Sequence, residues 1–232
     1  MCHAERMEPG SRAGSAYLVV PDDGPGHGVL VLHSWWGLTP SVKAVVERLA
    51  DAGYTALAPD LLAGAAPDDP DDARQVLADS DPNETAALIL SSVVALRANS
   101  ADHDAAVAVV GYSMGASWAL WLATRQPVSV DAVVAFYGAQ NIDFVDLAAP
   151  VLGHFAEDDP FVTEDELVEM QAQLMLLDHH IEFHRYPGAR HWFDEDTPVS
   201  DRDREASTLA WERTLDFLAR HAPPRPDGPS GP

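Results

Sequence analysis

The chain is short of cysteine, of cations and of long apolar runs. Its one cysteine, Cys2, has no partner in the sequence, so no intrachain disulfide and no thiolate metal site can be built. Stability has to come from packing. Fourteen Lys and Arg face 37 Asp and Glu, a formal charge of −23. A field of that sign repels phosphate backbones and anionic headgroups, which argues against nucleic-acid and membrane partners. No stretch approaches the roughly 18 uninterrupted apolar residues of a spanning helix. Glu5, Arg6, Glu8 and Arg12 stand where a signal peptide needs apolar side chains, so a cytoplasmic chain is expected. Fixed-period repeats are lacking, as is any Gly/Ser- or Pro-rich linker before residue 221, which leaves a second domain without a boundary. One domain over 15–221 is expected. Residues 1–14 read as a flexible lead, and Ala222–Pro232, with five prolines and two glycines, as a disordered tail. The acidic run Asp68–Asp72 lacks the spacing of a calcium loop and reads as a solvated loop.

What is there is an alternation. Ser15–Val20 and Gly28–His33 are β-branched and apolar, separated by turn residues, and read as a hairpin. Thr39-Pro40 supplies a helix cap and a first-turn proline, Val42, Val45, Val46 and Leu49 recur at helical spacing, and Gly53 ends the run. Tyr54–Ala58, Ala105–Val110, Asp131–Tyr137, Val151–Phe155 and Ile181–Tyr186 are further strand candidates, with helical segments between them. Several strands are continuously apolar, as when helices cover both faces of a parallel sheet. The expected fold class is α/β, a doubly wound, mostly parallel sheet with helices on both faces.

The chemistry-bearing motif is Gly111-Tyr112-Ser113-Met114-Gly115, a G-x-S-x-G pentapeptide between the strand Ala105–Val110 and the helical run Ala116–Thr124. Small residues around Ser113 permit the sharp strand-to-helix turn that lifts a serine hydroxyl above a sheet. A serine hydroxyl becomes a nucleophile only beside a base that a carboxylate orients, so an acid and then a histidine are required downstream. Asp159 follows the strand Val151–Phe155, and His191 follows Ile181–Tyr186, both in loops at carboxyl ends of strands. Asp158 competes with Asp159, and the pattern alone does not choose. His154 and His184 lie inside strand candidates, whereas His179 and His180 end a helix. The histidines show no H-E-x-x-H or tight H-x-H pattern, so no metal site is expected. An acyl-transfer site also needs oxyanion donors. The backbone N–H of Met114 is one candidate, and that of Trp35 in His33-Ser34-Trp35-Trp36-Gly37 is the second, with Trp36 behind it.

With these residues in place, the sequence resembles the dienelactone hydrolase family of the α/β-hydrolase superfamily. The resemblance runs from about Val29 to Leu218 and rests on His33–Gly37, Gly53-Tyr54, Ala58-Pro59-Asp60-Leu61, Gly111–Gly115, Phe136-Tyr137-Gly138, Ala156–Val162 and Tyr186–His191. It implies an α/β-hydrolase fold with little or no lid, no metal or other cofactor, and Asp159 rather than Asp158 as the triad acid. Ser34, Trp36, Tyr137 and Trp192 are the candidate substrate-pocket residues. Three departures matter. Dienelactone-cleaving members use a cysteine nucleophile where Ser113 stands, a glutamate where Ser34 stands, and substrate-binding arginines where Gly64 and Glu195 stand. Arg74 or Arg190 could compensate, although salt-bridged surface arginines are the plainer reading.

The expected function is a serine-dependent hydrolase of small neutral or weakly polar esters or lactones, monomeric or homodimeric, acting through an acyl-enzyme on Ser113. Thioester and peptide cleavage remain open, since one triad serves all acyl transfers. The alternatives are a hydrolase-fold protein that binds a small molecule without turnover, and a metal-dependent hydrolase that uses the histidines.

Overall fold

The computed structural model describes residues 15–195 and 200–224, with Ala4–Arg6 and Asp158 by backbone alone. Among the described residues there are eight strands and six helices. The strands are β1 (Ala4–Arg6), β2 (Ala16–Val19), β3 (Gly28–Leu32), β4 (Thr55–Pro59), β5 (Val107–Tyr112), β6 (Val130–Phe136), β7 (Val151–Asp158) and β8 (Ile181–Arg190). The helices are α1 (Pro40–Asp51), α2 (Pro70–Ala78), α3 (Pro82–Asn99), α4 (Met114–Arg125), α5 (Glu164–Leu176) and α6 (Asp201–His221). They form one sheet in the order β1-β2-β4-β3-β5-β6-β7-β8. The six strands from β4 to β8 run parallel, and β1 and β2 are antiparallel additions at one margin.

Strand alternation divides the core. Val29 and Val31 point to the face covered by α1 and α6, where Val42, Val46, Ala210 and Phe217 are buried. Leu30 and Leu32 point to the other face, against Ile89 and Leu96 of α3, Leu120 of α4 and Leu174 of α5. With both faces covered, every residue of β3 and β5 is buried, which explains their unbroken apolar runs. The chain winds outward from β3 to β4 and then returns past β3 to β5. The strand order reverses there, and open α/β sheets hold their ligand sites beyond the carboxyl ends of strands at such a point.

Four expectations are corrected. Ser15–Val20 and Gly28–His33 do not pair as a hairpin: β2 lies against β4, and both edges of β3 are taken by β4 and β5. A wholly buried strand belongs in the middle, whereas β2, buried only at Val19, fits the margin. Ala4–Arg6, in the expected flexible lead, pairs with β2 as a strand. Asp68–Asp72 is not a loop throughout, because Asp69 caps α2 by accepting from the N–H groups of Asp71 and Asp72. The first residues of the expected tail are docked: Ala222 is buried, and the Pro224 carbonyl accepts the His27 N–H at 2.7 Å. The rest of the lead, and residues 225–232, lie outside the described residues.

Two strands run further than their apolar cores suggest. β7 extends to Asp158 and β8 to Arg190, across an irregularity between Ala156 and Asp158. These extensions deliver Asp159 and His191 one residue past neighbouring strand ends. The expected cap is in place, with Thr39 accepting from the Val42 N–H to start α1, and Thr163 with Glu166 forms a capping box on α5.

Candidate active site

Ser113 sits in the turn from β5 to α4 with φ 51° and ψ −113°. A non-glycine residue held there stores on the order of 1–3 kcal/mol of strain, which the surrounding contacts must offset. Its N–H donates to the Phe136 carbonyl at 2.9 Å. The flanking glycines are required by space. A Cβ on Gly115 would stand 2.1 Å from the Leu32 carbonyl oxygen, and one on Gly111 2.3 Å from the Gly115 oxygen. The helix start is thereby pressed against the end of β3, with the serine at its positive pole.

From that elbow a relay of hydrogen bonds runs across the sheet edge. Ser113 Oγ lies 2.9 Å from His191 Nε2, and His191 Nδ1 lies 2.7 Å from Asp159 Oδ2. A carboxylate can only accept, so Nδ1 carries the proton and Nε2 is left to accept from the serine hydroxyl. The second Asp159 oxygen accepts the N–H groups of Phe161 and Val162 at 2.8 and 3.0 Å, which fixes the carboxylate in place. The His191 and Asp159 side chains are only 3% and 5% exposed, so the pair works where water screens it little. Aromatic rings enclose the imidazole: Trp192, Phe161 and Tyr137 lie 4.7, 4.9 and 5.0 Å from it, centroid to centroid.

The early loop after β3 is held by a strut that sequence reasoning passed over. His33 is fully buried, its Nδ1 donating to the Ser34 carbonyl at 2.6 Å and its Nε2 accepting the Leu61 N–H at 2.9 Å. Burial lowers its pKa and keeps it neutral, as those two roles demand. Its position directly after an apolar strand was the available signal. The loop places Trp35 beside Trp36, Phe161 and Trp192. The Trp36 N–H turns to Ser34 Oγ at 3.3 Å, so of the two tryptophans named as oxyanion donors Trp36 has its N–H engaged. Among the described residues no backbone acceptor holds the N–H of Trp35 or of Met114, the first residue of α4.

The four expected pocket residues divide. Trp36 and Trp192 are partly exposed, while Ser34 and Tyr137 are fully buried. Both of their hydroxyls donate to Glu195, at 2.5 and 3.0 Å. Glu195, which stands where dienelactone-cleaving relatives are expected to carry an arginine, is itself buried and ties the early loop to the end of β6. Burial first, and then the charge of Glu195, raises the Tyr137 pKa well above the ordinary phenol value, so its hydroxyl stays a donor. The two arginines considered as substitutes are engaged: Arg190 pairs with Asp203 at 3.0 Å and Arg74 with Asp71. Arg74 also lies 5.8 Å over the Trp35 ring.

The rival histidines stand elsewhere. His154 is in the core, bonded to the Tyr186 hydroxyl and Thr214, and His184 stacks on it at 6.1 Å. His179 faces the Phe144 carbonyl and His180 faces Glu182. Asp158 ends β7 opposite Arg190, while its neighbour Asp159 joins the relay.

Comparison with known proteins points one way. A relative named Protein usf, from Aquifex pyrophilus, is 29% identical over 88% of this chain and 92% of its own. Carboxymethylenebutenolidase 1 of Cupriavidus pinatubonensis is 28% identical over 93% of this chain and 97% of its own. The crystal structure of a dienelactone hydrolase-like promiscuous phosphotriesterase from metagenomic libraries superposes with a TM-score of 0.80 at 20% identity. It covers 95% of this chain and 98% of its own, and shares the α/β-hydrolase fold. A model of the dienelactone hydrolase family matches residues 15–222, nearly the whole described chain. The chain therefore belongs to the dienelactone hydrolase family.

Proposed function

We propose that this family member hydrolyses small, neutral or weakly polar carboxylic esters or lactones, with Ser113 as nucleophile. The observation that carries the reading is the unbroken relay from Ser113 Oγ through His191 to Asp159, at 2.9 and 2.7 Å. As Ser113 Oγ attacks the substrate carbonyl carbon, its proton passes to His191 Nε2, and Asp159 stabilises the imidazolium. The negative charge arising on the carbonyl oxygen is met by the N–H groups of Met114 and Trp35, each worth about 3 kcal/mol in such a role. His191 then protonates the leaving oxygen. Water enters by the same route in reverse and releases the acid.

The substrate class rests on charge and surface chemistry. Trp36, Phe161 and Trp192 are partly or largely exposed beside His191, a surface suited to apolar groups. A dianionic substrate would meet a chain of charge −23, with Glu195 and Gly64 where relatives are expected to place arginines. The relative's name, carboxymethylenebutenolidase, speaks of a butenolide, a cyclic ester, which supports ester or lactone chemistry here.

Ser113→Ala should reduce hydrolysis of a chromogenic short-chain ester by about 10^4–10^6-fold. Turnover close to wild type would overturn the assignment. The competing view, a hydrolase-fold protein that only binds its ligand, predicts stoichiometric binding with no acyl-enzyme burst, and the intact relay speaks against it.

A further inference from the structure

At the end of the sheet remote from Ser113, three side chains converge that the proposed reaction does not use. His180 immediately precedes β8, Glu182 lies in its first turn of pleat, and His221 is the last residue of α6. One donor atom from each lies within 4.8 Å of the other two. His180 Nε2 is 3.2 Å from Glu182 Oε1, and the two imidazole rings meet edge to face with centroids 5.2 Å apart. His221 Nε2 is buried and has no hydrogen-bond partner among the described residues. Folded chains rarely leave a buried polar atom so, and an imidazole nitrogen without a partner is an available ligand.

We propose that His180, Glu182 and His221 bind a divalent transition-metal ion, zinc by preference, at the amino end of the parallel strands. Two imidazoles and one carboxylate suit zinc rather than magnesium or calcium, which favour all-oxygen sets, and leave a fourth position for water. Around a tetrahedral zinc with bonds of about 2.0–2.1 Å, ligand atoms stand roughly 3.3 Å apart. The His180–Glu182 pair already meets that spacing at 3.2 Å. The third ligand has to close by no more than about 1.5 Å, and the exposed His180 side chain is able to turn.

The electrostatics are mixed in a way that can be tested. His221 ends a helix of 21 residues, where the unpaired carbonyls favour a cation. Burial first, then Arg220 and His180, lower its pKa, while Glu182 and Asp131 on β6 act in the opposite direction and add negative field. Against this, Arg220 holds both oxygens of Glu182, at 2.7 and 2.9 Å. That grip pulls the Glu182 carboxyl down to about 2. Metal and guanidinium therefore compete for one carboxylate. A bound ion would pin the end of α6 to the edge strand β8. It would act on stability, since the relay lies at the opposite ends of these strands.

The test is calorimetric titration of chelator-stripped protein with zinc chloride, beside thermal unfolding. One zinc per chain is expected, with a Tm rise of about 5–10 °C at a hundredfold excess over Kd. His221→Ala, and independently the surface change His180→Ala, should each weaken binding at least tenfold and cut the Tm rise at the same zinc concentration by about half or more. Arg220→Gln should tighten binding by releasing Glu182. Ester hydrolysis should be the same in all three variants. Absence of saturable binding, or equal affinity in His180→Ala, would overturn the proposal, as would weaker binding in Arg220→Gln.

Discussion

Along β3 and β5 every residue is buried in strand backbone, yet one residue past β5 the chain turns to φ 51° at Ser113. Of the five non-glycine residues with positive φ among those described, three lie one or two residues beyond strand ends, Ser113 after β5, Tyr137 after β6 and Trp192 after β8, and a fourth, Ala63, stands in the turn four residues after β4. The fifth, Asp178, follows α5. The interior thus gains stability from apolar area removed from water, at roughly 25 cal/mol per Å². The carboxyl edge spends part of that stability on strained backbone, enclosed charge and hydrogen-bonded side chains. Substitutions in the two regions should therefore fail differently.

The largest separation is expected from Asp159→Asn. It keeps the shape but permits the wrong imidazole tautomer, so kcat should fall by about 10^4-fold. The unfolding midpoint should move far less, and an equal loss of stability and rate would break the distinction. Gly115→Ala joins the regions, because its Cβ would meet the Leu32 and His33 carbonyl oxygens at 2.1 and 2.6 Å. A cost of about 4 kcal/mol in denaturant unfolding is expected, with activity lost alongside. Leu30→Ala, wholly in the interior, should cost about 3 kcal/mol and leave kcat of the remaining folded protein unchanged.

The smallest effect concerns Asp194, just past His191. Its carboxylate accepts from Ser207 and from the Tyr112 hydroxyl, and burial pushes its pKa up to about 6. Because the folded state then binds this proton more tightly than the unfolded chain, the stabilisation is full below about pH 4 and lost as pH rises through about 6. Relative to Asp194→Asn, wild-type stability should decline by on the order of 2–3 kcal/mol between pH 4 and 7. Parallel pH profiles for the two proteins would contradict the burial argument.

The same contrast explains what could be read in advance. The strands with both faces covered are continuous apolar runs, so their existence and parallel packing are visible in composition alone. The place of Ser113 was legible because the elbow's sterics demand glycines at fixed positions, and that of His191 because an acid and then a histidine have to follow in order; the order did not choose between Asp158 and Asp159, and Asp159 came from the family resemblance. Sheet order was not legible: nothing local in Ser15–Val20 says that β4 will stand between it and β3. Nor was the Ser34–Glu195–Tyr137 tie, which joins residues up to 161 positions apart through hydroxyls with no repeating pattern. His180, Glu182 and His221 met for the same reason only in three dimensions.

The central claim is that the strained elbow serves to present a nucleophile. It is tested most directly by treating the protein with a fluorophosphonate and locating the adduct by peptide mass spectrometry. One adduct per chain, on the peptide bearing Ser113 and absent from Ser113→Ala, is the predicted result. No adduct, or an adduct that persists in Ser113→Ala, would contradict it.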